Sequence, residues 1–248
     1  MTNRKQEPAS ASESKSGKSR HIIFEKKLPV QHWIQYMLWN LGLMLLACGI
    51  LTYFTLQLSY GNLNSAIRFG YFDNPWIPVF NLLITFTLCV FLFALTGRAW
   101  LGYLLTAIIC FGITLANYYL ISLRGNPLFF RDLPYLQVAL SGSDEFKVSR
   151  LIIDAITISV LCSIALAFLS CWRPRLSFYY VIWFVISGAL FVGSLWLTTL
   201  KPVNELTEYY KWIEPTNSTE VYVSRGVLYS FSQSVFDNSD MPSVYSDQ

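Results

Sequence analysis

Histidine and charge are what this 248-residue chain has least of. Charged residues make up 13% of it, and its two histidines, His21 and His32, flank the start of the first apolar run. A metal centre or an acid–base active site therefore has few groups to be built from, and no cofactor is expected in this chain. The five cysteines, Cys48, Cys89, Cys110, Cys162 and Cys171, lack CxxC pairing and metal-ligand spacing. All five fall in or at the edge of apolar runs, where a thiol is a small packing group.

Apolar residues are abundant, at 54% of the chain, with aromatics at 17%. They are clumped into five runs, 33–58, 76–95, 99–121, 151–171 and 178–200, of which only the fourth holds a charged residue, Asp154. About 20 apolar residues of helix cross a bilayer core of about 30 Å, and backbone polar groups in lipid must be paired within the helix. The sequence predicts an all-α polytopic membrane protein with five transmembrane helices. The first run follows a polar leader of about thirty residues and exceeds the 7–15-residue core of a cleaved signal, so it reads as an uncleaved span.

Lysines and arginines close to the spans set orientation. The leader carries Arg4, Lys5, Lys15, Lys18, Arg20, Lys26 and Lys27, and the second and fourth turns add Arg98, Arg173 and Arg175. With five spans these segments share one side. The N-terminus is expected in the cytoplasm and the C-terminus outside, in a plasma membrane. The net charge of +3 then reflects topology, and no nucleic-acid partner is expected. Leader 1–32 is rich in Ser, Lys and Glu and is expected to be disordered.

Polar residues near the span centres amount to little beyond Asn40, Asn81 and threonines, which speaks against a transporter or channel. Ala155, Ser159, Ser163 and Ala167 recur every four residues in the fourth run, a smooth stripe for close helix packing. Ala189 and Gly193 offer a shorter patch of that kind. Asp154 opens the fourth run beside the stripe, shallow enough to reach water. In tail 201–248, Val203, Leu206 and Tyr210 suggest one short helix, and Val227, Leu228, Phe231 and Val235 another begun after Gly226. Such helices cannot bury a core alone; they must rest on the membrane, on the outer loops or on another molecule.

Loop 122–150 interrupts the apolar pattern with "NYYLISLRGNPLFFRDLPYLQVAL", Asn117 to Leu140. Asn117 ends the third span and "GNP", with Pro127, is a turn. Asp132 reads as an N-cap with Pro134 in the first helical turn, and Leu133, Leu136 and Leu140 follow at helical spacing. This pattern predicts a short helix lying in the outer interface. Arg124 and Arg131 then sit at phosphate depth. Two readings are open: snorkelling anchors, or a bidentate grip on a lipid phosphate.

That segment resembles the stretch after the third membrane helix of lipoteichoic acid synthase family proteins, in its Asn-Tyr-Tyr, Arg-Gly-x-Pro-Leu and Asp-Leu elements. "RGVLYSFSQSVFDNSDMPSVYS" in the tail is similar to the family linker. The resemblance covers roughly 33–246. It implies five bacterial membrane helices that anchor an extracellular, sulfatase-like phosphoglycerol transferase domain with a threonine nucleophile and a divalent metal, usually manganese. No residue of this chain matches that nucleophile or a metal set. The expectation is a membrane-anchoring and lipid-positioning region without its catalytic domain, inactive by itself, with anionic phospholipid such as phosphatidylglycerol as partner. The alternative is a stand-alone module that pairs with a full-length synthase or another membrane protein through the small-residue stripe and the tail.

Overall fold

The computed structural model describes residues 30–60, 74–135, 150–170, 178–207 and 222–236; the side chains of Arg124, Arg131 and Pro134 fall outside that description. Among the described residues all regular structure is helical. The elements are α1 (Val30–Tyr60), α2 (Trp76–Thr96), α3 (Ala99–Arg124), a 3-10 turn (Phe130–Tyr135), α4 (Arg150–Leu169), α5 (Phe178–Leu197), α6 (Lys201–Thr207) and α7 (Val227–Phe236). Among the described residues four helices, α1 to α4, are long and apolar enough to cross a membrane, and there are five if α5 and α6, bent by 69° to each other, count as one span. The chain is a multi-pass helical protein.

Local chemistry explains the boundaries. Asn74 Oδ1 accepts the Trp76 N–H at 3.1 Å, closing a turn that delivers Pro75, at φ −65°, as the cap of α2. Gly97 ends α2 in the left-handed conformation, φ 67°, with its N–H on the Phe93 carbonyl at 2.8 Å. The chain reverses into α3 so tightly that a methyl group on Gly102 would lie 2.7 Å from the Phe93 backbone nitrogen. The fifth run, expected straight to Leu200, turns instead at Thr198. There the N–H groups of Thr198, Thr199 and Leu200 reach carbonyls three residues back. Pro202 follows, with no N–H to extend the α5 ladder and a ring that clashes with the preceding turn.

The interior is built by α1, α2 and α3, each packed on the other two; α4 leans on α1 and α3, and α5 on α2. Met44, Cys48, Leu51, Cys89, Phe93, Tyr103 and Cys110 form the buried centre. Cys162 is half-buried and Cys171 lies outside the described residues. Three buried hydroxyls are silenced by their own helices: Thr85, Thr106 and Thr114 each donate to the carbonyl four residues back, at 2.8–2.9 Å. This is how threonine is accommodated where water is absent.

Ala155, Ser159 and Ser163 are buried on α4, which packs on α1 and α3, and the Ser163 hydroxyl donates to the Trp100 carbonyl at 3.3 Å. Ala167, expected to share the stripe, is exposed; Leu166 takes the buried place near that end of α4. Ala189 and Gly193 are exposed as well. The α5 contact runs instead through Gly188, close against the Phe91 ring, and through a 2.8 Å hydroxyl pair between Thr87 and Ser194. Asp154 is exposed on α4.

Gly102→Ala should lower the thermal midpoint in detergent by the equivalent of about 1–3 kcal/mol, the usual cost of overpacking. Gly112→Ala, whose added methyl meets nothing within 4 Å, should leave it unchanged or raised.

Candidate functional site

The mouth of the bundle is the end where α1 stops, α2 starts and α3 stops. At Gly125, φ 73°, the backbone N–H bonds the Ile121 carbonyl at 2.9 Å and ends α3. The chain then folds back over the bundle. Pro127 and Leu128 are buried, with Leu128 packed against Ala116 and Leu120. Asn117, fully buried one helix turn before Ile121, accepts the Leu128 N–H on its side-chain oxygen at 2.9 Å. Its amide nitrogen has no hydrogen-bond partner among the described residues.

The helix expected after Asp132 lies for the most part, from Leu136 on, outside the described residues. A 3-10 turn starts at Phe130, and Asp132 is inside it. The Asp132 carboxylate accepts the Phe129 N–H at 3.1 Å, while the Asp132 N–H donates to the Phe129 carbonyl at 2.9 Å. Asp132 thus reaches backwards from the third position, as the acidic member of a capping box does. Burial of Pro127 and Leu128 brings the next residues down onto the tail. Pro134 lies within the 3-10 turn; Leu136 and Leu140 lie outside the described residues. Arg124 is the last residue of α3 and Arg131 the second of the turn, so their backbones bracket the fold-back.

The tail occupies the mouth. Helix α7 packs on α1, α2, α3, α5 and the 3-10 turn, and its first residues, Val227, Leu228 and Tyr229, are buried. The sequence locates this helix but leaves its seat open among membrane, loops and another molecule; the seat is the interior of the chain's own bundle. Three alternating serines make that burial tolerable. Ser230 donates to the Tyr222 carbonyl, Ser232 to Tyr229 and Ser234 to Phe231, each at 2.7 Å.

Asn81 fastens the tail to α2. Its amide nitrogen donates to the Arg225 carbonyl at 2.9 Å and to its own helix at Ile77, 2.8 Å. Its oxygen accepts the Tyr229 N–H at 3.2 Å. An otherwise orphaned donor in the first turn of α7 is thereby capped from a different helix. Gly226, φ 86°, makes the approach possible, because a methyl group there would sit 2.7 Å from the Asn81 amide. The Tyr229 hydroxyl donates to Asn204 Oδ1 at 2.8 Å and ties in α6. Asn74 donates to the Leu206 carbonyl at 2.8 Å from the start of α2.

A second clamp joins tail and fold-back. The Tyr222 hydroxyl donates to the Leu128 carbonyl, and the Tyr222 ring meets Phe129 edge-on, 5.5 Å between centroids. The Phe130 N–H donates to Ser234 Oγ at 3.1 Å, and Phe130 meets Phe231 at 6.0 Å. Burial, with the Asp132 charge nearby, pushes the Tyr222 phenol well above its usual range. A raised phenol stays protonated, so its stabilisation is complete below about pH 10 and is lost only as pH rises beyond that.

Chemically, this arrangement fixes two segments about a hundred residues apart into one shaped surface. Its carboxylates among the described residues are Asp132, Asp154 and Glu205, on three separate elements. No group of three His, Cys, Asp or Glu comes together among the described residues. Of the residues that sequence reasoning brought forward, Asn117 and Asp132 each accept a backbone N–H of the fold-back and Pro127 is buried in it, while the Pro134 side chain lies outside the described residues. Sequence reasoning missed Tyr222, Tyr229, Asn204 and the holding role of Asn81. The available signals were one amide early in an apolar run and a glycine just ahead of a helical pattern. Comparison of the chain with protein-family models, curated proteins and solved structures finds no match.

Asn81→Ala should release the tail, because it leaves the Tyr229 N–H and the Arg225 carbonyl without that partner, at about 1–3 kcal/mol for each buried group. Limited proteolysis in detergent should then cut between 222 and 236 faster than in the parent, while cleavage of the leader stays the same.

Proposed function

We propose that this chain is the membrane-anchoring and lipid-positioning region of a lipoteichoic-acid-synthase-like phosphoglycerol transferase. One observation carries the reading. The two segments on which the resemblance rests are 117–140 and 225–246, and their described parts, up to 135 and 236, clasp each other at the mouth through Phe130 and Ser234 and through Phe130 and Phe231. These parts form one surface although they are about a hundred residues apart in sequence.

In this reading the mouth faces outward on a bacterial plasma membrane. Arg124 and Arg131 bracket the fold-back at headgroup depth and hold the phosphate of an anionic phospholipid such as phosphatidylglycerol, since guanidinium pairs with phosphate oxygens through two parallel hydrogen bonds. The clamped tail carries that position outward to the transferase machinery, whose metal and threonine belong to another domain. The chain contributes placement of the lipid rather than transfer chemistry. Pairing with a second membrane protein through the α4 stripe is the weaker reading, because Ala155, Ser159 and Ser163 are already buried.

Purified chain in nanodiscs should bind phosphatidylglycerol in preference to phosphatidylcholine, measured by native mass spectrometry. Arg124→Ala with Arg131→Ala should weaken that preference by about tenfold or more, since one hydrogen bond to a charged group contributes about 1.5–3 kcal/mol. An unchanged preference would contradict the assignment.

A further inference from the structure

Between α1 and α2, beside the mouth, runs a groove of about 140 Å³ lined by Gly49, Thr52, Tyr53, Leu56, Gln57, Pro78 and Leu82. We infer that it is a binding site for one acyl chain of a membrane phospholipid. Its length and place argue for that occupant. Gln57 is two residues from the end of the first candidate span and Pro78 two from the start of the second, so this end of the groove lies at the hydrocarbon boundary. Gly49 is eight residues deeper on α1, about 12 Å at 1.5 Å per residue. Half of a 30 Å core is about 15 Å, and the groove therefore stays within one leaflet.

Its chemistry agrees. The wall is apolar apart from Gln57, at the boundary end where a phospholipid has its ester carbonyls, and the hydroxyls of Tyr53 and Thr52. Thr52 is 3% exposed and its hydroxyl has no hydrogen-bond partner among the described residues. The volume is below the roughly 300–1,000 Å³ of pockets for compact soluble ligands and suits a narrow chain lying along two helices. Gly49 leaves the floor open: a methyl group built on it meets nothing within 4 Å. Leu56 forms the wall between groove and tail, packing with Val227 on its other side. The site shares no residue with Arg124 and Arg131 and stands independently of the function proposed above.

Gly49→Leu fills the groove without a backbone conflict, and Gly42→Leu places the same side chain on α1 outside it, where space is also open. Each protein is placed in phosphatidylglycerol–phosphatidylethanolamine nanodiscs with a trace of phospholipid bearing a diazirine at mid-chain, irradiated, and mapped by peptide mass spectrometry. The parent and Gly42→Leu should concentrate adducts on 49–57 and 78–82, above the level on the exposed α4 residues Ile153, Val160 and Ile164. Gly49→Leu should lose about tenfold of the groove labelling, equivalent to about 1.4 kcal/mol of lipid affinity, with α4 labelling unchanged as the sign of an intact fold. Even labelling over all lipid-facing helices in the parent, or groove labelling untouched by Gly49→Leu, would overturn the inference.

Discussion

One buried amide governs how this molecule closes. Asn81 stands in the second turn of α2 and takes both a carbonyl and an N–H of the incoming tail, at Arg225 and Tyr229. In a low-dielectric interior each of those backbone groups would be costly unpaired, and a lone asparagine in an apolar helix would be no better placed. Each side resolves the other's problem. Gly226 supplies the remaining condition, since its positive φ and missing side chain let backbone meet amide.

From that contact the rest of the mouth follows. With its first turn capped by Asn81, α7 can be buried on several sides, its serines bonding to carbonyls of the tail itself. Tyr229 then reaches α6, and Tyr222, Phe231 and Ser234 reach the fold-back after α3. The fold-back in turn enters a 3-10 turn at Phe130 that is docked on the tail. The first part of the stretch that breaks the apolar pattern between the third and fourth runs, through Phe130, is thus held by protein contacts.

The long helices were legible because lipid leaves few choices: an apolar run must satisfy its backbone alone. The starts of α2 and α3 fall at Trp76 and Ala99, the first residues of their runs. The α5 bend was not legible, since Thr198 to Leu200 are as apolar or neutral as what precedes them and the proline comes two residues later. Packing partners were half legible. The α4 stripe marked three buried residues, but a period of four drifts on a helix of 3.6 residues per turn, which leaves Ala167 out. The tail's seat had no periodic signal. It depends on Tyr222, Tyr229 and Asn81, which come together only in three dimensions.

Hydrogen exchange on the unmodified protein in lipid nanodiscs tests the central claim, that the tail is seated inside the mouth. The backbone amides of Tyr229 to Ser232 should exchange as slowly as those in the middle of α2. Exchange at the rate of an open, solvated segment would contradict the account.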